Sequence, residues 1–149
     1  MSLPKIVVHT DIVLEFLLLG SRKQSTLRLA MQKFFCYTTV VNVIELFSIA
    51  RTGRERKALE HAMSAMKILG LNARNAKRYG ELLARRLPLP RMNALIAGVC
   101  LESKLPVLTG RPREFRGVKG LVIVPGSLVT DDASAAEIIR RCPPPPGRN

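Results

Sequence analysis

A chain of 149 residues, 47% of them hydrophobic, has the length and apolar content for one compact domain and excludes both a disordered chain and a disulfide scaffold. Its three cysteines, Cys36, Cys100 and Cys142, stand far apart with no CxxC pair and only His9 and His61 as co-ligands, which argues against a zinc site and fits a reducing compartment. Twenty-four Lys and Arg against eleven Asp and Glu give +13, a surface that gathers phosphate backbones by counterion release, RNA being the commonest large cellular polyanion; a solubilising role or an acidic partner protein is the competing explanation.

The elements alternate between strand and helix. Ile6 to Val8 is a continuous β-branched run predicting a buried strand, and Asp11 precedes an apolar helix that Gly20 can end. Leu27, Ala30, Met31 and Phe34 mark a second helix leading to a short strand, Phe35 to Thr38. Val40 to Arg51 is apolar nearly all round, which predicts an interior helix closed by Gly53. From Glu55, the stripe Leu59, Ala62, Met63, Met66 predicts an amphipathic helix ending in a strand at Lys67 to Leu69. Asn72 can cap the next helix, which runs to about Leu87 with an inner stripe of Ala76, Tyr79, Leu83 and Leu87 and an outer stripe of Arg74, Arg78, Glu81 and Arg85. That outer stripe is either a solvated face or a track for RNA.

Arg91 to Ser103 reads as a helix buried through Met92, Leu95, Ile96, Val99 and Cys100. Pro106 then opens the strand Val107 to Thr109, and Leu121 to Val124 follows as a further parallel strand. A last helix spans about Ala133 to Arg141. The expected organisation is one domain over residues 1–142 and a proline-rich flexible tail over 143–149. The longest apolar run, Ile12 to Leu19, is interrupted by Glu15 and too short to span a bilayer, and the N-terminus lacks a signal-peptide pattern, so no membrane partner and a cytoplasmic location are expected. Functional groups of a parallel α/β sheet lie beyond the carboxyl ends of its strands, where His9, Thr10, Asp11 and Thr109 fall. With 5% aromatics and no Trp, base stacking is a poor fit, and nucleic-acid contacts are expected to be mainly to the backbone.

The blocks IVVHTDIVLEFL, TTVVNVIEL, MNALIAG and LPVLTGRPREF, the last followed by GLVIV, occur in that order over residues 5–125. Together they resemble the successive blocks of PIN-domain ribonucleases, the fold of the VapC toxins. The resemblance implies a three-layer α/β/α sandwich with a central parallel sheet, an RNA substrate, an antitoxin partner and a homodimer. It also implies four acids converging on one or two Mg²⁺ or Mn²⁺ ions that activate water against a phosphodiester.

Matched residue by residue, the first acid falls on His9, the second on Glu45, the third on Asn93 and the fourth on Arg111, so one carboxylate of four is kept. Hard cations require oxygen ligands, and a guanidinium cannot ligate at all. At an effective dielectric near 20, a unit pair about 4 Å apart is worth roughly 4 kcal/mol, so losing three carboxylates is expected to abolish two-metal binding. Asp11, at the Ser/Asn position of the first block, and Glu114 are the compensating candidates; with Glu45 and the Asn93 carbonyl, Asp11 could hold one weak ion. Structural readings compete at each position: a helix cap for Asp11 and for Asn93, a hydrogen-bonded core residue for His9, and a salt bridge to Arg111 or His9 for Glu45. Arg111, His9 and the helix start at Asn93 could alternatively hold a phosphate where the family holds metal. Three functions result: a degenerate member binding RNA or a partner protein without needing a cofactor, a divergent Mg²⁺- or Mn²⁺-dependent endoribonuclease toxin using Asp11, Glu45 and Glu114, or a pure protein-interaction module.

Overall fold

The computed structural model describes residues 3–20, 23–85 and 89–143. Five parallel strands, β1 (Lys5–Val8), β2 (Phe35–Thr39), β3 (Lys67–Leu69), β4 (Val107–Thr109) and β5 (Ile123–Pro125), form one sheet in the order β3-β2-β1-β4-β5. The helices among the described residues are α1 (Thr10–Leu19), α2 (Thr26–Lys33), α3 (Val40–Ile49), α4 (Gly53–Ser64), α5 (Ala76–Ala84), α6 (Arg91–Ser103) and α7 (Ala135–Arg140). None is long and apolar enough to cross a membrane.

Strand β1 lies at the centre, and because side chains alternate along a strand its Ile6 and Val8 face one core while Val7 faces the other. The first core joins them to Ile12 and Val13 of α1, Leu27 and Ala30 of α2, Leu59 and Met63 of α4 and Ile138 of α7. The second packs Val7 and Val107 against Leu82 of α5, Ile96 and Cys100 of α6, and Phe115. Burial on both faces is why these strands read as unbroken apolar runs, and it yields the expected three-layer α/β/α sandwich. Gly98 sets the spacing of one layer. A Cβ there would stand 2.6 and 2.7 Å from carbons of the Tyr79 ring, so only glycine lets α5 lie this close to α6.

Several local expectations are corrected. Helix α3 is not interior all round, since Ile44 and Ile49 are 55% and 52% exposed. Gly53 opens α4 rather than closing α3, because the Thr52 hydroxyl accepts the Glu55 amide and makes residue 52 the cap. Asn72 caps a short 3-10 turn, Ala73–Asn75, ahead of α5, whose inner face is Tyr79 and Leu82 while Ala76 is exposed; Leu87 lies outside the described residues. Met92 is exposed because it sits in the first turn of α6, on the solvent side. Strand β5 begins at Ile123, two residues later than the apolar run, since Leu121 packs in the preceding turn. Ser134 caps α7 and so starts it at Ala135. The tail beyond Pro143 lies outside the described residues. All three cysteines are buried free thiols, with Cys36 and Cys100 pushed up to about 12 by burial.

Candidate functional site

Of the buried polar residues among those described, all but Ser25 gather at the carboxyl ends of β1, β2 and β4: His9, Thr10, Thr38, Thr39, Asn42, Asn93 and Thr109. The strand order reverses direction at β1 and β4, which is where an open parallel sheet presents a crevice. His9 follows β1 and occupies the cap position of α1, so Asp11 is not the cap but lies in the first turn. Thr109 ends β4, and the chain then passes Gly110 and Arg111 into a 3-10 turn, Pro112–Phe115. Asn93 lies inside the first turn of α6, whose cap position is held by Pro90, so the capping reading of Asn93 is also replaced.

Asn42 is the hub of the site. Its Oδ1 accepts from the Thr39 amide (3.2 Å) and hydroxyl (2.7 Å), which fixes Nδ2 as the donor. Nδ2 donates to His9 Nδ1 (3.1 Å) and to Thr10 Oγ1 (2.9 Å), and the Thr10 hydroxyl donates onward to Glu45 Oε1 (2.8 Å). With Nδ1 accepting, the imidazole proton resides on Nε2. Burial pushes His9 below its ordinary value of 6.5; the Asp11, Glu45 and Glu114 carboxylates oppose this and Arg111 adds to it. The ring also meets Phe115 edge-on, with centroids 4.9 Å apart. His9 is thus buried and hydrogen-bonded, and its burial favours the neutral ring.

Asp11 Oδ2 accepts from the Thr109 hydroxyl (3.0 Å) and the Gly110 amide (2.9 Å), pinning the loop after β4 to α1. Its Oδ1 is buried with no hydrogen-bond partner. Arg111 pairs with Glu114 at 3.5 Å, and Asn93 Nδ2 donates to the Glu114 carbonyl and carboxylate at 3.4 Å. The expected salt bridge from Glu45 to Arg111 or His9 is thus replaced by a hydrogen bond from Thr10, because Glu114, three residues along the same turn, captures the guanidinium. Among the described residues, no three His, Cys, Asp or Glu side chains are grouped so as to hold one metal ion. Three carboxylates against one guanidinium leave the cleft a formal charge of −2 with His9 neutral.

All six residues singled out around this site, His9, Asp11, Glu45, Asn93, Arg111 and Glu114, therefore meet in one cleft, whereas Arg74, Arg78 and Arg85 lie on and around exposed α5. Sequence reasoning missed Asn42 and Thr39. The signal was present as T-x-x-N, a capping box in which Asn42 takes the place of the usual Glu or Gln.

Comparison with solved structures finds this fold in VapBC toxin–antitoxin complexes. The DNA-bound VapBC from Salmonella typhimurium aligns at a TM-score of 0.67 with 20% identity, covering 83% of this chain and 99% of that one. VapBC2 from Rickettsia felis, bound to a promoter DNA fragment, gives 0.66 and 18%, covering 80% and 96%. VapBC-1 from nontypeable Haemophilus influenzae gives 0.66 and 16%, covering 83% and 98%. Comparison with curated proteins finds no match. The profile of the PIN domain matches residues 6–121, and with the sheet order and the cleft in place, this chain belongs to the PIN domain family.

Proposed function

We propose that this protein is a VapC-type PIN domain with a degenerate active site, which binds RNA through backbone phosphates and cleaves it little or not at all. The observation that carries the reading is the residue set at the four acid positions, His9, Glu45, Asn93 and Arg111, one carboxylate with a neutral ring, an amide and a cation. These residues do not fit a two-metal centre. Glu45 is held by Thr10, Asp11 spends one oxygen on the loop after β4, and Glu114 is held by Arg111. The +13 charge supports RNA as the ligand, with Arg74, Arg78 and Arg85 as the outer contacts and Arg111 as a single contact at the cleft mouth. The VapBC likeness supports an antitoxin as the partner protein, for which exposed Leu18, Ile44 and Ile49 supply apolar surface, or else a second copy of the chain. A soluble cytoplasmic protein is the setting that this reading requires.

The test is a labelled single-stranded RNA incubated with the protein in the presence and absence of Mg²⁺ or Mn²⁺. Salt-sensitive binding without cleavage, and no rise in Tm at millimolar metal, is the expected result. One observation favours a second reading, an active divergent endoribonuclease using Asp11, Glu45 and Glu114: the orphaned Asp11 Oδ1 is a free acceptor that a weakly held ion would satisfy. A saturable Tm rise lost in Asp11→Ala or Glu45→Ala, together with metal-dependent cleavage, replaces the first reading with the second.

A further inference from the structure

A second concavity carries the charge that the cleft lacks. A pocket of about 190 Å³ on the flank of α5 is lined by Arg78, Glu81, Leu82, Arg85, Leu101 and Lys119, none of them a cleft residue. The four from α5 and its C-cap recur at i, i+3, i+4 and i+7, a single stripe of a helix. Lys119 reaches the stripe from the turn before β5, where Gly117 and Gly120 adopt φ of 87° and 80° and a Cβ on Gly120 would lie 3.6 Å from Leu101. That turn therefore sits against α6, and only a left-handed glycine pair places it there at low cost. Buried Leu82 and half-buried Leu101 supply an apolar floor, and the exposed Arg78, Arg85 and Lys119 its basic rim.

The rim cations form no salt bridge, although the Glu102 carboxylate lies near enough to Arg78 for the guanidinium to help lower its pKa. All eleven Asp and Glu lie among the described residues, and there the Arg111–Glu114 pair is the one salt bridge, so no Asp or Glu side chain stands within 4 Å of the charged groups of Arg78, Arg85 or Lys119. Three cations against Glu81 leave the pocket a formal +2, where the cleft has −2. Guanidinium forks suit the paired oxygens of a phosphate, and the lysine adds a point charge from the opposite side.

We propose that this pocket is a phosphate-binding subsite distinct from the PIN cleft, taking either the backbone phosphodiester of single-stranded RNA or a free phosphate. The RNA source rests on the proposed function; the phosphate chemistry stands without it. Glu81 is the opposing charge in the ring, which gives the proposal a test of sign as well as of size.

The experiment uses the full chain in two arms. In the first, inorganic phosphate and pyrophosphate are titrated while amide and arginine side-chain resonances are followed by NMR. Saturable shifts are expected at Leu101, Lys119 and the α5 arginines, lost in the triple variant Arg78→Gln, Arg85→Gln, Lys119→Gln, kept in Arg111→Ala, and tighter in Glu81→Gln. In the second, binding of a single-stranded RNA oligonucleotide is measured across salt concentrations. Three lost contacts are expected to shrink the slope of log K on log salt by about 2, at about 0.7 per phosphate. All of these are surface substitutions, and the amide spectrum checks that each variant is folded. Phosphate shifts at the pocket without any RNA binding support the free-phosphate source and remove the RNA reading of the protein. RNA binding with an unchanged slope in the triple variant, or phosphate shifts spread evenly over the basic surface, overturns the pocket and leaves the RNA reading standing.

Discussion

At the carboxyl ends of β1, β2 and β4 the polar side chains are buried and bonded to one another, whereas on the flank of α5 they are exposed and bonded to no carboxylate. The first arrangement spends its hydrogen-bonding capacity internally: Asn42 satisfies Thr39, His9 and Thr10, and Thr10 satisfies Glu45. The second leaves its basic groups facing solvent. The proposed loss of metal binding agrees with this inward closure, from which Asp11 Oδ1 stands out as the buried side-chain atom left unpartnered among the described residues. On the proposed function, the contrast teaches that the crevice of a fold and its ligand-binding surface need not coincide.

The largest blow to the closed half is Asn42→Ala. It leaves the Thr39 amide and hydroxyl and His9 Nδ1 without their partner, and removes the donor to Thr10 Oγ1, in a site where Asn42 is fully buried. A loss of about 3 kcal/mol is expected, since each unsatisfied buried group costs roughly 1–3 kcal/mol and a network fails together. Chemical denaturation measures it; a loss below about 1 kcal/mol would mean that the hub is not tightly formed.

Gly98→Ala strikes the other half. The added methyl overlaps the Tyr79 ring and comes within 3.2 Å of Leu82, so α5 must move away from α6 and the pocket floor with it. Overpacking of this kind costs about 2 kcal/mol. Thermal melting should show that loss while the His9 ring resonances stay in place, and a shift at His9 as large as that at Leu82 would show the two regions to be mechanically coupled.

The pH dependence of stability sharpens the description of the cleft. His9 in the unfolded chain takes up a proton near 6.5, and burial lowers that value in the fold. The stability contributed by a neutral His9 is therefore complete above 6.5 and is lost as the pH falls from there through the lower folded value. Melting curves from about pH 8 down to about pH 5 should show Tm falling over that window, and His9→Gln, which does not titrate, should flatten the fall. An equal fall in His9→Gln assigns the effect to the carboxylates.

Arg111→Ala is the smallest change. Its pair with Glu114 is 74% and 33% exposed, so stability should move by less than about 0.5 kcal/mol. The salt slope of RNA binding should shrink by about 0.7, one phosphate contact. A loss as large as that of the pocket variant would return the main phosphate contact to the cleft.

Much of this was legible in the chain itself. Apolar runs at Ile6 to Val8 and after Pro106, each ending in polar residues, determined the parallel sheet and the ends at which its buried polar residues collect, because strands buried on both faces must be apolar throughout. The order of the motif blocks pointed to the family that the PIN-domain match shows, and the residue types at His9, Asn93 and Arg111 are what the proposed degenerate site rests on. Tertiary structure decided the rest. Whether Asp11 caps a helix or pins a loop depends on Thr109 and Gly110, 98 and 99 residues away. Whether Glu45 meets Arg111 depends on Glu114 competing from a turn whose geometry no local pattern reveals. The arginine stripe of α5 was visible as a stripe, but Lys119 joins it only because two left-handed glycines fold a distant loop onto α6. Helical and strand periodicity are local properties of the backbone, written in neighbouring residues; the sign of the charge in a cleft or a pocket is a sum over side chains that only the folded chain brings together.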